Sequence, residues 1–350
     1  MDNSSQRKIL RVSPACEIPQ LAGEITSALV GDGPSLGFGE ITSEFAAHYA
    51  AVVIGTSGSS GSPKEVALTA TALISSARAS NKFINAKPGE TWSLLLPLTH
   101  IAAVNVIIRA IELGTLPIDL RNHEGEYPKA NYTSIVPTQL FRALNGDVRL
   151  LSHLKSAKTV LVGGAALSQS LRNQAELAGI KVVTTYGMTE TCGGCVYDGE
   201  VLDGVAIEIR NGKIAIRGPI LASSVSLDAG WYETSDLGEF KNDKLIVLGR
   251  ADDVIISGGE NLSLNAVEAS LSAAFVDVEF AAFSIEDPQW GDSLQIAVVG
   301  TVSDEELVAR LESDLGSFAK PKGIHRLTSL PLLGIGKVDR KSLAKGVAHE

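Results

Sequence analysis

No apolar run in this 350-residue chain approaches the roughly 18 residues that a membrane-spanning helix needs, so no transmembrane segment is expected. Cysteine is scarce: Cys16, Cys192 and Cys195 are the only three. So low and odd a count in a long chain excludes a disulfide scaffold and points to a reducing compartment. Met1 to Lys8 carry neither the apolar core of a secretory signal nor an Arg-rich transit pattern, and a cytoplasmic protein is expected. An excess of basic residues is also missing. Lys and Arg number 30 against 40 Asp and Glu, for a net charge of −10. That excludes a general nucleic-acid binder, which carries a basic face, but leaves room for a local basic pocket around a phosphorylated ligand. Repeats, low-complexity tracts and coiled-coil heptads are absent as well. What remains is an ordinary globular balance, 45% hydrophobic and 20% charged. The length exceeds one core of about 100–200 residues, which predicts one large domain and one smaller one.

Residues 1–50 are weakly patterned apart from a helix predicted over 18–30, ended by Gly31-Asp32-Gly33-Pro34. From Ala51 onward, short apolar runs alternate with amphipathic stretches. Strands are predicted at 51–54, 92–96, 116–118, 134–136, 159–162 and 182–185, with helices at 69–82, 101–113, from Pro137, and at 168–178. This alternation over 51–190 predicts a largely parallel sheet covered on both faces. After residue 201 the pattern changes to short strands and turns. A new α+β unit then begins near Arg250, with a strand at 254–256, a helix from Leu264, strands near 276–284 and 293–299, and a helix at 303–314. The expected division is 1–249 for the large α/β domain and 250–350 for the small one.

Four segments carry candidate chemistry. The first, Thr56-Ser57-Gly58-Ser59-Ser60-Gly61-Ser62-Pro63-Lys64, follows a buried strand. Its small residues would let backbone N–H groups approach a phosphate chain, with Lys64 adding a charge. It lacks the Gly-Lys-Ser/Thr ending of a Walker A loop, and alone it reads equally well as a flexible surface loop. The second, Thr184-Thr185-Tyr186-Gly187-Met188-Thr189-Glu190-Thr191, leaves the carboxyl end of another strand, where ligands of parallel sheets sit. It offers a ring for a base, hydroxyls for phosphate and a carboxylate for Mg²⁺. The third is Gly249-Arg250-Ala251-Asp252-Asp253, with Ser257-Gly258-Gly259 after it, and the fourth is Gly334-Ile335-Gly336-Lys337-Val338-Asp339-Arg340. Taken singly, these last two read as a turn and a solvent-facing loop. Cys192-Gly193-Gly194-Cys195 has no second ligand pair at metal-binding spacing and reads as a loop.

Order and spacing make the set informative. Together with Asp236 of Glu233-Thr234-Ser235-Asp236, these segments resemble, in family order, the motifs of the adenylate-forming family of acyl-CoA synthetases, adenylation domains and luciferases. The resemblance covers residues about 51–345. Within that family, Leu96-Pro97-Leu98-Thr99-His100, Ser134-Ile135-Val136-Pro137-Thr138-Gln139-Leu140 and Val162-Gly163-Gly164-Ala165-Ala166-Leu167 look most like the o-succinylbenzoate–CoA ligases of menaquinone biosynthesis. Two departures stand out. Thr56 is preceded by only 55 residues, which predicts a trimmed amino-terminal subdomain, and Ile101-Ala102-Ala103 follow His100 where a glycine is usual.

The resemblance implies an adenylate-forming α/β fold with a small mobile α+β carboxy-terminal domain. It also implies ATP and CoA as co-substrates, Mg²⁺ as cofactor and o-succinylbenzoate as the acid. A homodimer is left open. On the same basis Thr56, Ser57, Gly58, Ser59, Ser60, Gly61 and Lys64 would hold the β,γ-phosphates, and Glu190 would bind Mg²⁺ with Thr189 on a phosphate oxygen. Tyr186 would stack on the adenine, with Gly164 and Ala165 lining it, and Gly187 would belong to the same ATP site. Asp236 would accept the ribose hydroxyls, helped by Arg250, and Lys337 would bridge the substrate carboxylate and the α-phosphate. The small domain would rotate about Asp252 and bring Gly258 and Gly259 to the CoA arm. His100 would line the acid site, while Arg109 and Ser134 would recognise the second carboxylate of the acid. The alternatives are another aryl- or acyl-CoA ligase, an adenylation domain loading a carrier protein, and a non-catalytic nucleotide-binding protein on the same fold.

Overall fold

The computed structural model describes residues 6–57, 63–257, 260–275, 278–287, 291–333 and 337–347. The first segment does more than its weak patterning predicts. Strand β1 (Gln6–Arg11), helix α1 (Ile18–Val30), β2 (Ser35–Phe38) and β3 (Phe45–Ala47) lead into β4 (Ala50–Ser57), which folds back into β5 (Pro63–Thr69) before α2 (Ala70–Phe83). These strands form a five-stranded sheet in the order β3-β1-β2-β4-β5, and β4 and β5 pair antiparallel with Thr56 opposite Lys64. β1 is mostly exposed and charged, and β3 has only three residues, so neither shows the apolar alternation of a half-buried strand.

A second, seven-stranded sheet follows. Its elements are β6 (Trp92–Leu94), α3 (Ile101–Glu112), β7 (Ile118–Asp119), β8 (Tyr132–Ile135), α4 (Pro137–Leu144), α5 (Val148–Ser156), β9 (Thr159–Val162), α6 (Gln169–Leu177), β10 (Val182–Met188), a 3-10 turn (Thr189–Thr191), β11 (Gly193–Tyr197) and β12 (Glu200–Val201). The order is β12-β11-β10-β9-β8-β6-β7, parallel from β7 to β10 and antiparallel beyond. The single sheet expected over 51–190 is therefore two: β4 and the strand carrying Tyr186 lie in different sheets. Alternation along the strands shows how they pack. Val52 and Ile54 of β4 and Leu161 of β9 face one shared core with α1, α2 and α3, so these helices lie between the sheets. Val160 and Val162 face a second core with α4, α5 and α6.

Four antiparallel strands come next: β13 (Ala206–Arg210), β14 (Lys213–Arg217), β15 (Tyr232–Lys241) and β16 (Lys244–Arg250). The last unit contains β17 (Val254–Ser257), β18 (Glu260–Ser263), α7 (Leu264–Ala274), β19 (Glu279–Asp287), β20 (Gly291–Val299), α8 (Asp304–Leu315), β21 (Gly323–Arg326), β22 (Leu332–Leu333), β23 (Lys337–Val338) and α9 (Arg340–Val347). It has its own core around Val267, Leu271, Ile296 and Leu307. Helix α8 starts on a capping box in which Ser303 and Glu306 satisfy each other's backbone N–H. No helix among the described residues is long and apolar enough to cross a membrane.

One clamp in the first sheet has a pH signature. The Glu65 carboxylate on β5 accepts from Thr42 N at 2.7 Å, Thr42 Oγ1 at 2.8 Å and Ser43 N at 3.0 Å. From the other side, Arg11 donates to the carbonyls of Ile41, Thr42 and Ser43. Burial pushes the Glu65 carboxyl up, but the bonds from Ser43 and Thr42 outweigh it and hold the group at about 2. A depressed carboxyl stabilises the fold fully above its unfolded value, about 4.3, and loses that contribution as pH falls towards the folded value. Glu65→Gln should therefore narrow its stability gap to the parent protein as pH drops from 5 towards 2, with a constant gap above about pH 5.5. Urea midpoints at several pH values check this; a gap that ignores pH would remove the clamp's charge from the account.

Candidate active site

Three of the sheets meet at one edge. Thr56 is the last but one residue of β4, and its hydroxyl donates to the Lys64 carbonyl at 3.0 Å across the hairpin mouth. Lys64 lies on a strand rather than in a loop, and its Nζ sits 3.5 Å from Glu190 Oε1, 126 residues away. Its side chain is 56% exposed, while that of Glu190 is 17% exposed. The candidate phosphate-loop residues Gly58, Ser59, Ser60 and Gly61 lie outside the described residues, and Ser57 is placed by its backbone alone.

The Tyr186 segment is not a loop leaving a strand. Strand β10 runs on through Met188 and pairs with β11. This pairing needs glycine at 187, because a Cβ there would lie 2.0 Å from the Gly193 carbonyl oxygen. Thr189 and Glu190 then form the 3-10 turn, pinned from beneath. The Thr191 hydroxyl bonds to the carbonyls of Met188 and Gly193 and to the Met188 N–H. Cys192 takes a left-handed conformation with φ 52°, and its carbonyl accepts from both Ser76 Oγ and Asn105 Nδ2. The Cys-x-x-Cys segment thus begins at the end of this turn and runs into β11. Cys192 and Cys195 are free and buried; burial pushes the Cys192 thiol well up and the Cys195 thiol to about 12, so neither is a ready nucleophile.

Asp236 comes from β15. Tyr186 donates its phenolic O–H to Asp236 Oδ2 at 2.8 Å, tying the seven-stranded sheet to the four-stranded one. Burial raises the Tyr186 hydroxyl far above its usual range, and the Asp236 charge raises it further. Tyr232, two strand positions before Thr234, is a residue that sequence reasoning passed over. Its hydroxyl is pushed to about 12 by burial and then by the charges of Glu190 and Asp236, which places it within the field of both carboxylates. Gly164 and Ala165 follow β9 and are exposed.

Arg250 ends β16. It is the register partner of Asp236, but the closest approach of the two side chains is 3.9 Å. Its fork instead grips Asp252, Nε to Oδ1 and Nη2 to Oδ2, both at 2.8 Å. This bidentate pair lowers the Asp252 carboxyl and raises the Arg250 guanidinium. The candidate hinge residue is therefore fastened to the large unit's last strand.

Of the candidate acid residues, Arg109 and Ser134 meet across α3 and β8. His100 is the N-cap residue of α3. Arg109 is not an exposed helix charge: it is 4% exposed, with Nη1 donating to Ser134 Oγ at 3.4 Å and Nη2 to the Tyr197 hydroxyl at 3.0 Å. Its guanidinium carbon lies 5.2 Å from the Trp92 ring centroid. Its Nε has no partner, and among the described residues no carboxylate pairs with it.

Lys337 begins β23 opposite Leu333, a short strand where a loop was expected, and its side chain is outside the described residues, as are Gly258 and Gly259. Arg340, three residues on, is another residue without an expected role. It donates to the Ala282 carbonyl, Asp253, Asn265 and Glu268, tying the end of the Lys337 strand to the residue after Asp252. Its place three residues after Lys337 in the Gly-Lys-x-x-Arg segment was the available signal.

The site also fits Mg²⁺. Mg²⁺ in nucleotide sites takes one or two carboxylates together with phosphate oxygens and water. Glu190 supplies such a carboxylate, and no cluster of three or more acidic, His or Cys ligands is found among the described residues. That donor set suits an ion brought in with a nucleotide better than a caged one.

The model of the AMP-binding enzyme family matches residues 24–219. The probable 2-succinylbenzoate–CoA ligase of Mycobacterium tuberculosis strain H37Rv is 38% identical over 331 residues, covering 86% of this chain and 85% of its own. The 2-succinylbenzoate–CoA ligase of Escherichia coli K12 is 30% identical over 316 residues, covering 84% of this chain and 68% of its own. Among solved structures, wild-type E. coli MenE with a bound m-phenylether-linked analogue of OSB-AMS superposes with a TM-score of 0.70 at 25% identity, over 98% of this chain and 83% of that one. The amide bond synthetase McbA from Marinactinospora thermotolerans shares the fold at a TM-score of 0.76 and 21% identity, over 97% of this chain and 79% of that one. With more than half of its length inside the family model and such relatives, this chain belongs to the AMP-binding enzyme family.

Proposed function

We propose that the chain is an AMP-forming 2-succinylbenzoate–CoA ligase, built as a large domain over 1–249 and a small one over 250–350. The observation that carries the reading is the convergence of Lys64, Tyr186, Glu190 and Asp236 from three sheets at one edge. The relatives of known name supply the acid.

The chemistry needs such a site because a carboxylate is a poor acyl donor. Its oxygen would attack the α-phosphorus of ATP, forming a C(O)O–P bond while the bond to the β-phosphate oxygen breaks and pyrophosphate leaves. The obstacle is an anion approaching a polyanion, so catalysis is positioning and charge neutralisation. Lys64 and the loop before it would hold the β,γ-phosphates. Glu190 would hold Mg²⁺, which when bound offsets phosphate charge, and Thr189 would reach a phosphate oxygen. Asp236, oriented by Tyr186, would accept the ribose hydroxyls, while Gly164 and Ala165 would line the adenine. Arg109 and Ser134 would meet the ring carboxylate of the acid, with His100 at the wall. Lys337 would bridge the reacting carboxylate and the α-phosphate.

In the second step the CoA sulfur would attack the acyl carbon. The C–S bond forms, the bond to the AMP oxygen breaks, AMP leaves with the electron pair and the thiol proton passes to solvent. Asp252 would be the hinge between the two steps, with Gly258 and Gly259 beside the CoA arm. In the conformation described, the Arg250–Asp252 pair holds that hinge.

Supplying the full chain with 2-succinylbenzoate, ATP, Mg²⁺ and CoA should yield AMP and the thioester, detected by mass spectrometry. Lys337→Ala should abolish most adenylation but spare thioester formation from supplied acyl-AMP. Equal loss in both steps would contradict the assignment of Lys337 to the first. Asp236→Ala should weaken ATP binding by about 1.5–3 kcal/mol, the worth of a charged hydrogen bond. Calorimetric titration with ATP measures it, and unchanged affinity would remove Asp236 from the nucleotide site.

A further inference from the structure

We infer that Tyr197 is the positioning residue for Arg109, and that its neutral hydroxyl sets the preference for an acid with a second carboxylate. This rests on the reading of Arg109 given above and deepens it. The starting point is an anomaly of charge. A guanidinium 4% exposed would ordinarily be matched by a protein carboxylate, because burying an unmatched charge is costly. Arg109 has none among the described residues. Its surroundings are the Ser134 and Tyr197 hydroxyls and the face of Trp92. Such groups orient a cation without cancelling its charge, which stays available to an incoming anion.

Tyr197 is the fixed part of that shell. It is 0% exposed on β11, behind Arg109, whereas Ser134 stands on β8 towards the carboxyl edge of the sheet. Guanidinium only donates, so the phenol oxygen must accept from Arg109 Nη2. The same hydroxyl shares a hydrogen bond with Ser80 Oγ, 2.8 Å away on α2. Arg109, Tyr197 and Ser80 thus form one connected chain of hydrogen bonds. Phe83 packs edge-on against the Tyr197 ring at 5.3 Å, and a Cβ at Gly194 would come within 2.6 Å of that ring. The ring therefore has one place to stand, and it fixes where the charge of Arg109 points.

The test compares kcat/KM for 2-succinylbenzoate with that for benzoylpropionate, the same acid without its ring carboxylate. Arg109→Ala should lower the ratio by roughly 10- to 150-fold, the worth of a charged hydrogen bond. Tyr197→Phe, which keeps the ring and removes the hydroxyl, should lower it by roughly threefold to tenfold, through KM for 2-succinylbenzoate with kcat little changed. In the Arg109→Ala background, Tyr197→Phe should change the ratio no further. If Arg109→Ala leaves the ratio unchanged, the reading of Arg109 fails. If it lowers the ratio while Tyr197→Phe leaves it unchanged or slows both acids alike, the Tyr197 inference alone is overturned. Should Tyr197→Phe fail to fold, Ser80→Ala removes the next link and must lower the same ratio; an unchanged ratio there is equally adverse.

Discussion

The site depends on one close approach of backbones, that of Gly187 on β10 to the Gly193 carbonyl on β11, which no side chain larger than hydrogen at 187 would allow. β10 is the last parallel strand of its sheet and the first to meet an antiparallel neighbour. From this strand, Tyr186 reaches the four-stranded sheet through Asp236, and the turn beyond Met188 carries Glu190 to Lys64 of the first sheet. The return strand β11 brings Tyr197 under Arg109. The residues proposed for nucleotide and acid are thus arranged on two sides of a single pair of strands.

Charge explains much of the rest. A chain of net charge −10 has to gather phosphates and a dicarboxylate at one place. The cations proposed for that task are held in different ways. Lys64 is exposed and paired only at 3.5 Å, Arg250 is tied bidentate to Asp252, and Arg109 is buried among neutral groups. Lys64 can exchange its weak pairing for phosphate at little cost. The Arg250–Asp252 pair is bidentate, with both bonds at 2.8 Å. Arg340 joins Asp253 to the start of α9, two residues after the strand on which Lys337 sits.

The long amphipathic elements were legible in the sequence. The helix at 18–30, the helices after Thr69 and His100, and the strands at 159–162 and 182–185 all appear with boundaries shifted by a few residues at most. Motif order led to the family, and the strand–turn context of Tyr186 to the site's edge. The two-sheet division was not legible. Both Ala51–Ile54 and Thr159–Val162 are short apolar runs, and nothing in such a run says which neighbour it will pair with. β3 is only three residues long, and β1 buries a single residue, Ile9, so neither carries a readable apolar pattern. The partners of Arg250 and Arg109 were beyond reach for a related reason. Asp236 and Asp252 both fit the spacing, and Tyr197 lies 88 residues from Arg109. Only tertiary packing chooses among them.

The central claim is that this fold activates a carboxylate by joining it to AMP before any thiol takes part. Exchange of labelled pyrophosphate into ATP, measured without CoA, tests that claim most directly, because only reversal of adenylation can return the label. The account predicts exchange that requires 2-succinylbenzoate and Mg²⁺ and proceeds without CoA. Exchange that needs CoA, exchange that ignores the acid, or none at all from folded, ATP-binding protein would contradict it.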